Sequence, residues 1–229
     1  MKLSHCIIAL AVLLHACKKA NTPDKPIPDP IIPIVPVDTV KKLEFTWAKS
    51  FGGTGVEGIL DMATDDAGNV YLTGKFKGMV DFDLGAGVQN LTAGGDNATY
   101  FAKYNTNGVL VFVKDITVIG VNYVAMGGDA TGNVYFAGNF TGKVDIDKGP
   151  AVQKLDSKGG VDVFVVKYDT GGNVLSKFII GNSGNESVAG LAVDRTGNCY
   201  LAGTSNYVID VDPGTTVKNV NRPKCFLAK

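Results

Sequence analysis

The chain has 229 residues, with 22 basic and 22 acidic side chains in balance and a hydrophobic share of 45%. That length suits one domain with appendages, and the apolar share is enough for a packed core. A balanced charge gives no global field to favour nucleic acid or an acidic substrate, and 29 glycines set among aromatic and β-branched residues point to short strands and many turns.

Residues 1–17, MKLSHCIIALAVLLHAC, have a positive start at Lys2, an apolar run from Ile7 to Leu14 and a small residue before Cys17. This pattern predicts a secretory signal, too short to span a bilayer as a helix of about 20 residues. Leu14-His15-Ala16-Cys17 resembles the lipobox of bacterial lipoproteins. The resemblance implies a signal peptide over 1–16 and a diacylated Cys17 as the new N-terminus; an ordinary signal cleaved near Ala16 is the alternative. Acyl chains anchor a protein stably without a spanning helix. Lys18, where an aspartate would signal inner-membrane retention, implies an outer membrane lipoprotein, facing the periplasm or exposed at the cell surface. Cleavage removes His5 and His15, the two histidines of the chain. An imidazole base, a Ser-His-Asp triad and a histidine-ligated zinc are therefore excluded for the mature protein.

Residues 17–42 comprise the anchor cysteine and a tether with prolines at 23, 26, 28, 30, 33 and 36. Each proline removes an amide donor and fixes φ, so an extended, polyproline-like segment is expected. At about 3.1 Å per residue it would hold a domain on the order of 60–70 Å from the lipid. The apolar IIPIVPV stretch lying on the domain as an edge strand is the other reading.

From Leu43 the sequence repeats itself. DDAGNVYLTG (65–74), DATGNVYFAG (129–138) and DRTGNCYLAG (194–203) place their central glycines, Gly68, Gly132 and Gly197, 64 and 65 residues apart. The stretches VDFDLGAGVQNLT (80–92), VDIDKGPAVQKLD (144–156) and IDVDPGTTVKNV (209–220) keep the same step, as do YFAK, FVVK and FLAK. Three markers in one register establish a repeat. Within the first copy, ILDMATD (59–65) is predicted to lead through an Asp-x-x-Gly-Asn turn into NVYLTGKF (69–76). Asp65, Asp129 and Asp194 can each bond amides ahead of them, and Gly68, Gly132 and Gly197 take positive φ cheaply. ATYFAKYN (98–105) then turns at Asn107-Gly108 into VLVFVKDI (109–116), since Asn-Gly is a strong hairpin signal. Two hairpins and one short insertion predict a four-stranded antiparallel meander per repeat. Apolar residues on both faces require each sheet to stack on neighbours, and radial stacking of four-stranded sheets gives a β-propeller. The expected fold class is all-β, with propeller-type blades in three repeats of about 64 residues.

WAKSFGG (47–53), DDAGNVYLTG, VDFDLGAG and YFAKYNTNG resemble the bacterial SBBP-type β-propeller repeat proteins over residues 43–229. The NHL repeat shares the Asp-x-x-Gly-Asn-x-Tyr turn but lacks the Val-Asp-x-Asp stretch. The likeness implies an exported or surface propeller and transfers no catalytic residue.

The domain begins with LEFTWAKSFGG, which aligns with the fourth strands of the repeats, with Lys49, Lys114 and Lys177 in register and Trp47 matching Phe112 and Leu175. It stops on a third strand at FLAK. The N-terminal strand is thus expected to complete the last blade and hide two sheet edges. Three readings follow: a fragment of a longer propeller, two chains sharing a six-bladed ring by self-association, or a small three-blade domain.

Candidate chemistry is sparse. The pairs Asp81/Asp83, Asp145/Asp147 and Asp210/Asp212, each before a glycine turn, offer oxygens to Ca²⁺, though a calcium loop carries more acids than these. The plain alternative is outward aspartates entering a turn. Cys199 replaces Val70 and Val134, and Cys225 replaces Tyr100 and Val163, which makes them small apolar fillers or a cross-strand disulfide. Trp47 reads as a packing residue and the aligned lysines as guards against edge pairing. Asp61, Asp115 and Glu186 look unique to their copies, with nothing at a sensible spacing to pair them. SFGGTGVEG (50–58) lacks the Gly-Lys-Ser/Thr ending of a phosphate loop. The functional expectation is a lipid-anchored binding or scaffolding module for a protein or glycan ligand, with no cofactor, no nucleic acid and no catalysis. A Ca-dependent carboxylate hydrolase or lactonase, and a purely structural envelope protein, are the alternatives.

Overall fold

The computed structural model describes residues 44–95, 98–116, 124–147, 153–212, 218–221 and 224–229. The chain divides into two compact parts, Met1–Phe45 and Thr46–Lys229. Of the first, only Glu44 and Phe45 are described, so the signal peptide, Cys17 and the proline tether lie outside the described residues. The second is all β, with eighteen strands and no helix among the described residues.

A two-residue strand, β1 (Gly52–Gly53), opens the first repeat. It is followed by β2 (Glu57–Thr64), β3 (Val70–Phe76), β4 (Met79–Asp81), β5 (Asn90–Thr92), β6 (Ala98–Tyr104) and β7 (Leu110–Asp115). Strands β2-β3-β6-β7 form a four-stranded antiparallel sheet, and β1-β4-β5 a small one beside it. Repeat II contains β8 (Val124–Gly128), β9 (Val134–Phe140), β10 (Lys143–Asp145), β11 (Lys154–Asp156), β12 (Asp162–Tyr168) and β13 (Val174–Ile180). Its main sheet is β8-β9-β12-β13, with β10-β11 as the inserted hairpin. Repeat III contains β14 (Glu186–Val193), β15 (Cys199–Ser205), β16 (Ile209–Asp210), β17 (Asn219–Val220) and β18 (Phe226–Ala228). Its main sheet is β14-β15-β18 and its hairpin β16-β17.

The turn chemistry predicted between the first two strands of each repeat is present. Asp65 Oδ1 accepts from the Asn69 amide at 2.9 Å, and its backbone oxygen accepts from the Gly68 amide at 2.9 Å. Gly68, Gly132 and Gly197 have φ of 79°, 83° and 85°, a region that costs a side-chain-bearing residue roughly 1–2 kcal/mol. Register irregularities recur too: between Ile59 and Asp61 and again between Val188 and Gly190, and between Lys103 and Tyr104 and again between Lys167 and Tyr168. Such bulges add twist at fixed points of each sheet.

The two central strands are buried on both faces, as the two-sided apolar pattern requires: every residue of β6 and of β9 is buried. Gly74 pairs with Tyr100, Gly138 with Phe164 and Gly203 with Phe226. A Cβ on Gly74 would overlap the Gly58 carbonyl and the Tyr100 ring, so the central strand is left bare where an aromatic crosses it. One core joins repeats I and II through Tyr71, Phe101, Met126, Phe136, Phe164 and Val166. A second joins II and III through Ala137, Val163, Val165, Val188, Leu201 and Phe226. At about 1.5–3 kcal/mol for each large side chain buried, these shared cores are the main force holding successive repeats together.

Several expectations are corrected. Phe226 occupies the register position of Tyr100, so Cys225 matches Thr99 and Val163, not Tyr100. Both cysteines are free. Cys225 precedes β18 while Cys199 begins the neighbouring β15 at its far end, about 16 Å away along the strand at about 3.3 Å per residue, which rules out a bridge. Among the described residues of the N-terminal segment, a strand forms only at Gly52–Gly53. The preceding residues lie on the last turn of repeat I: Trp47 Nε1 donates to the Thr106 carbonyl at 2.9 Å and Lys49 Nζ to the Gly108 carbonyl at 3.1 Å.

Candidate functional site

The polar residues that recur with the repeat gather at the junctions between repeats. The Asp-x-x-Gly-Asn-x-Tyr turn ends one residue inside the second strand, and antiparallel pairing sets Tyr71 opposite Lys103 and Tyr135 opposite Lys167. Each ammonium therefore stands over a tyrosine ring, 4.9 Å from the centroid in both repeats. Lys167 also meets Asp129 at 3.4 Å. The Tyr71 hydroxyl donates to the Gly132 carbonyl of the next repeat at 3.0 Å, and the Tyr135 hydroxyl to the Gly197 carbonyl at 2.8 Å. Burial, and the neighbouring Asp65, push the Tyr71 hydroxyl above its ordinary range, so it stays a donor. Burial would raise the carboxyl of Asp129, yet hydrogen bonds from Thr131 and Asn133 outweigh it and hold the group down at about 2. The turn aspartates are thus ionised pivots for a tyrosine and a lysine that reach across to the following repeat.

The aligned lysines belong to the same device. Lys114 Nζ donates to the Gly172 carbonyl at 2.6 Å and meets Asp147 at 3.4 Å, while the Phe112 ring packs where a Gly172 side chain would be. Lys49 makes the equivalent contact with Gly108. Lys114 ties the outer strand β7 to the next repeat and Lys49 ties the N-terminal segment to repeat I, a role different from the edge guards expected of them. Lys177 bonds Gln153 Oε1 and the Lys154 carbonyl instead. Trp47 is half exposed on its turn, and its counterpart Leu175 is exposed.

The aspartate pairs fold inward upon their own loops, not outward. Asp81 Oδ1 accepts from the amides of Asp83 and Gln89, Asp145 Oδ1 from those of Asp147 and Gln153, and Asp210 Oδ1 from those of Asp212 and Lys218. The second members are engaged as well: Asp83 by the Gly85 amide, Asp147 by Lys114 and Asp212 by Lys218. Among the described residues no group of three or more Asp, Glu, His or Cys side chains converges as a metal site. The first aspartate of each pair acts as a loop brace, bridging amides two and eight residues ahead.

Two features escaped the linear reading. Glu186 is brought to Asp162, and both are fully or almost fully buried. Glu186 accepts from Ser205 Oγ at 2.9 Å, and Asp162 Oδ2 from the Lys158 amide at 2.5 Å. Burial, with the Glu186 charge beside it, raises the Asp162 carboxyl to about 6 against the pull of the Lys158 amide. Glu186 is not unique either, because pairing places Glu57 at the same register position. Asp61 Oδ2 accepts the Met126 amide of the next repeat at 2.7 Å. The available signal was a charged residue, Asp162, at a strand position held by Ala98 in the first copy.

Cavities lie over the open strand of repeat I and within the junction of repeats II and III. One of about 580 Å³ opens over β2 between Val56, Ile59, Leu60 and Phe76, and another of about 390 Å³ adjoins it at Lys49 and Phe51. A third of about 240 Å³ lies between repeats II and III against Phe178, Ile180, Cys199 and Leu201. No protein-family model matches the chain, and none of the curated proteins matches it.

Proposed function

We propose that this chain is an exported, lipid-anchored β-propeller repeat protein that acts as a binding or scaffolding module at the cell envelope. The observation that carries this reading is where the recurring polar residues go. Tyr71, Tyr135, Lys103 and Lys114 bond across to the following repeat, and the aspartates brace turns and loops. Side chains committed to holding sheets together are a framework, and the inserted hairpins between second and third strands are left as the variable, ligand-facing part. The propeller reading draws its support from the sheet of repeat II, which shares one core with repeat I and another with repeat III. The envelope reading draws its support from the Leu14-His15-Ala16-Cys17 box and the prolines that follow.

Fractionation of cells producing the full chain and its Cys17→Ala variant tests the proposal. The native chain is expected with the outer membrane, at the mass of a processed, acylated protein, and the variant is expected to lose the acyl chains. Recovery of the unprocessed native chain from the cytoplasm refutes the envelope reading.

A further inference from the structure

Each junction between repeats has a trailing face on the earlier sheet and a leading face on the later one. Repeat I carries a leading face that, among the described residues, is covered only in part: Phe51 and the small sheet bury Phe76 and Tyr100, while β2 is left open. Pairing registers make Met62 equivalent to Met126 and Ile59 equivalent to Val188. Met126 and Val188 are 7% and 3% exposed because the preceding repeat covers them, whereas Met62 and Ile59 are 55% and 58% exposed. Two cavities sit over this same strand. Repeat III carries the matching trailing face. Tyr200 and Lys229 hold the positions of Tyr71 and Lys103, with Lys229 Nζ 5.2 Å from the Tyr200 ring centroid. The Tyr200 hydroxyl bonds Asp194 of its own turn at 3.3 Å, as Tyr71 bonds Asp65 at 3.2 Å, but the carbonyl of a following repeat is missing from its partners among the described residues.

We propose that copies of this chain associate head to tail, the trailing face of repeat III taking the leading face of repeat I of a second copy. The joint continues the two junctions already within the chain. Its central bond runs from the Tyr200 hydroxyl to the Gly68 carbonyl of the second copy, following Tyr71 to Gly132 and Tyr135 to Gly197. The N-terminal segment fits the same scheme. By setting Lys49 on Gly108 as Lys114 is set on Gly172, it already stands on repeat I where a preceding repeat's outer strand stands. In the joint it comes beside β18, the outer edge of the three-stranded sheet, and supplies the fourth strand across copies. An uncovered sheet edge and an apolar face are concealed in one step. Such a contact is heterologous, closing into a ring or continuing as a chain of copies according to the rotation at each joint. It stands whether or not the protein is lipid-anchored.

The first test is the mass of the full chain in detergent solution, alone and as Met62→Asp. Met62 is exposed in the single chain, so the variant keeps its fold, verified by an unchanged far-ultraviolet spectrum. The native chain is expected as a multiple of the single-chain mass, and the variant is expected to associate about tenfold or more weakly, as a charge in the centre of an apolar joint should. The second test reads geometry. A Cβ on Gly127 lies 3.2 Å from Val193 Cβ across the II–III junction, and the equivalent pair across copies is Ala192 with Thr64. Two tagged chains, one Ala192→Cys and one Thr64→Cys, both in a Cys225→Ser background, are expected to cross-link to each other and not to themselves. A native chain that is monomeric throughout, association indifferent to Met62→Asp, or association without the cross-link overturns the proposal. So does a partner of another sequence that is needed to occupy the face.

Discussion

A test of the buried acid pair can be worked through from the geometry. Asp162 is wholly buried at the start of β12; its Oδ2 accepts one amide, and its Oδ1 has no hydrogen-bond partner. Its carboxyl is raised from 3.8 to about 6, by burial first and by the nearby Glu186 charge. Between those values the unfolded chain has released the proton and the folded chain still holds it. Stability contributed by this group is therefore complete below 3.8, falls as pH rises through the window, and levels off above about 6. A shift of about two units corresponds to about 3 kcal/mol. Asparagine has the same shape, keeps an acceptor for Lys158 and does not titrate. Asp162→Asn should thus be more stable than the native chain by about 2–3 kcal/mol at pH 8, or about 4–12 °C in Tm for a domain of this size. At pH 4 the two should agree within about 0.5 kcal/mol. Urea unfolding followed by circular dichroism at pH 4, 6 and 8 measures this. An equal shift at pH 4 and pH 8, or a loss of stability at pH 8, refutes the assignment of the effect to a desolvated charge.

The turn pivots give the opposite limb of the pH profile. Asp129, held at about 2, contributes stability that is present above 3.8 and lost as pH falls towards 2, so Asp129→Ala should flatten the acid side of the curve. The same variant removes hydrogen bonds from Thr131 and Asn133 and leaves Lys167 without its carboxylate, a loss of about 2–4 kcal/mol at pH 7 by urea unfolding. Tyr135→Phe deletes one bond across the II–III junction and should cost about 1 kcal/mol, or 2–4 °C in Tm, with the exposed Tyr207→Phe as an unchanged control. The thiols should separate cleanly in native-state alkylation mapped by mass spectrometry. Cys225 is exposed and reacts first, while burial pushes the Cys199 thiol up to about 11 and slows it; equal rates would contradict the described environment.

Strand order, turn types and the two-sided core were legible because they depend on local chemistry repeated at a fixed step. Asp65, Gly68 and Asn69 specify one turn wherever they occur, and a glycine opposite an aromatic marks a central strand. What the linear sequence hid is what lies across a junction. Lys114 was read as an edge charge because its acceptor, the Gly172 carbonyl, is 58 residues away and carries no side-chain signature. Asp162 and Glu186 are 24 residues apart on different sheets, and only the packing of repeat III against repeat II brings them together. The aspartate pairs misled for a different reason. Their alternation suggests outward ligands, but the first oxygen of each is drawn back to amides two and eight residues ahead, and backbone acceptance leaves no mark in composition.

The same tyrosine in three settings shows why recurrence here signals assembly of the fold. Tyr71 and Tyr135 are buried and bond a glycine carbonyl of the next repeat; Tyr200, at the identical step, is half-buried and bonds its own turn. Lys229 holds the cation position of Lys103 and Lys167, though slightly farther from its ring. If the turn existed for a ligand, the third copy would have no reason to keep a tyrosine and lysine aimed along the direction in which the sheets succeed one another. It keeps both, together with the apolar Leu227, which is exposed at the position where Phe101 and Val165 are buried against the next repeat. The device that joins I to II and II to III is therefore built once more, on a face where a further repeat of this type is the surface it matches.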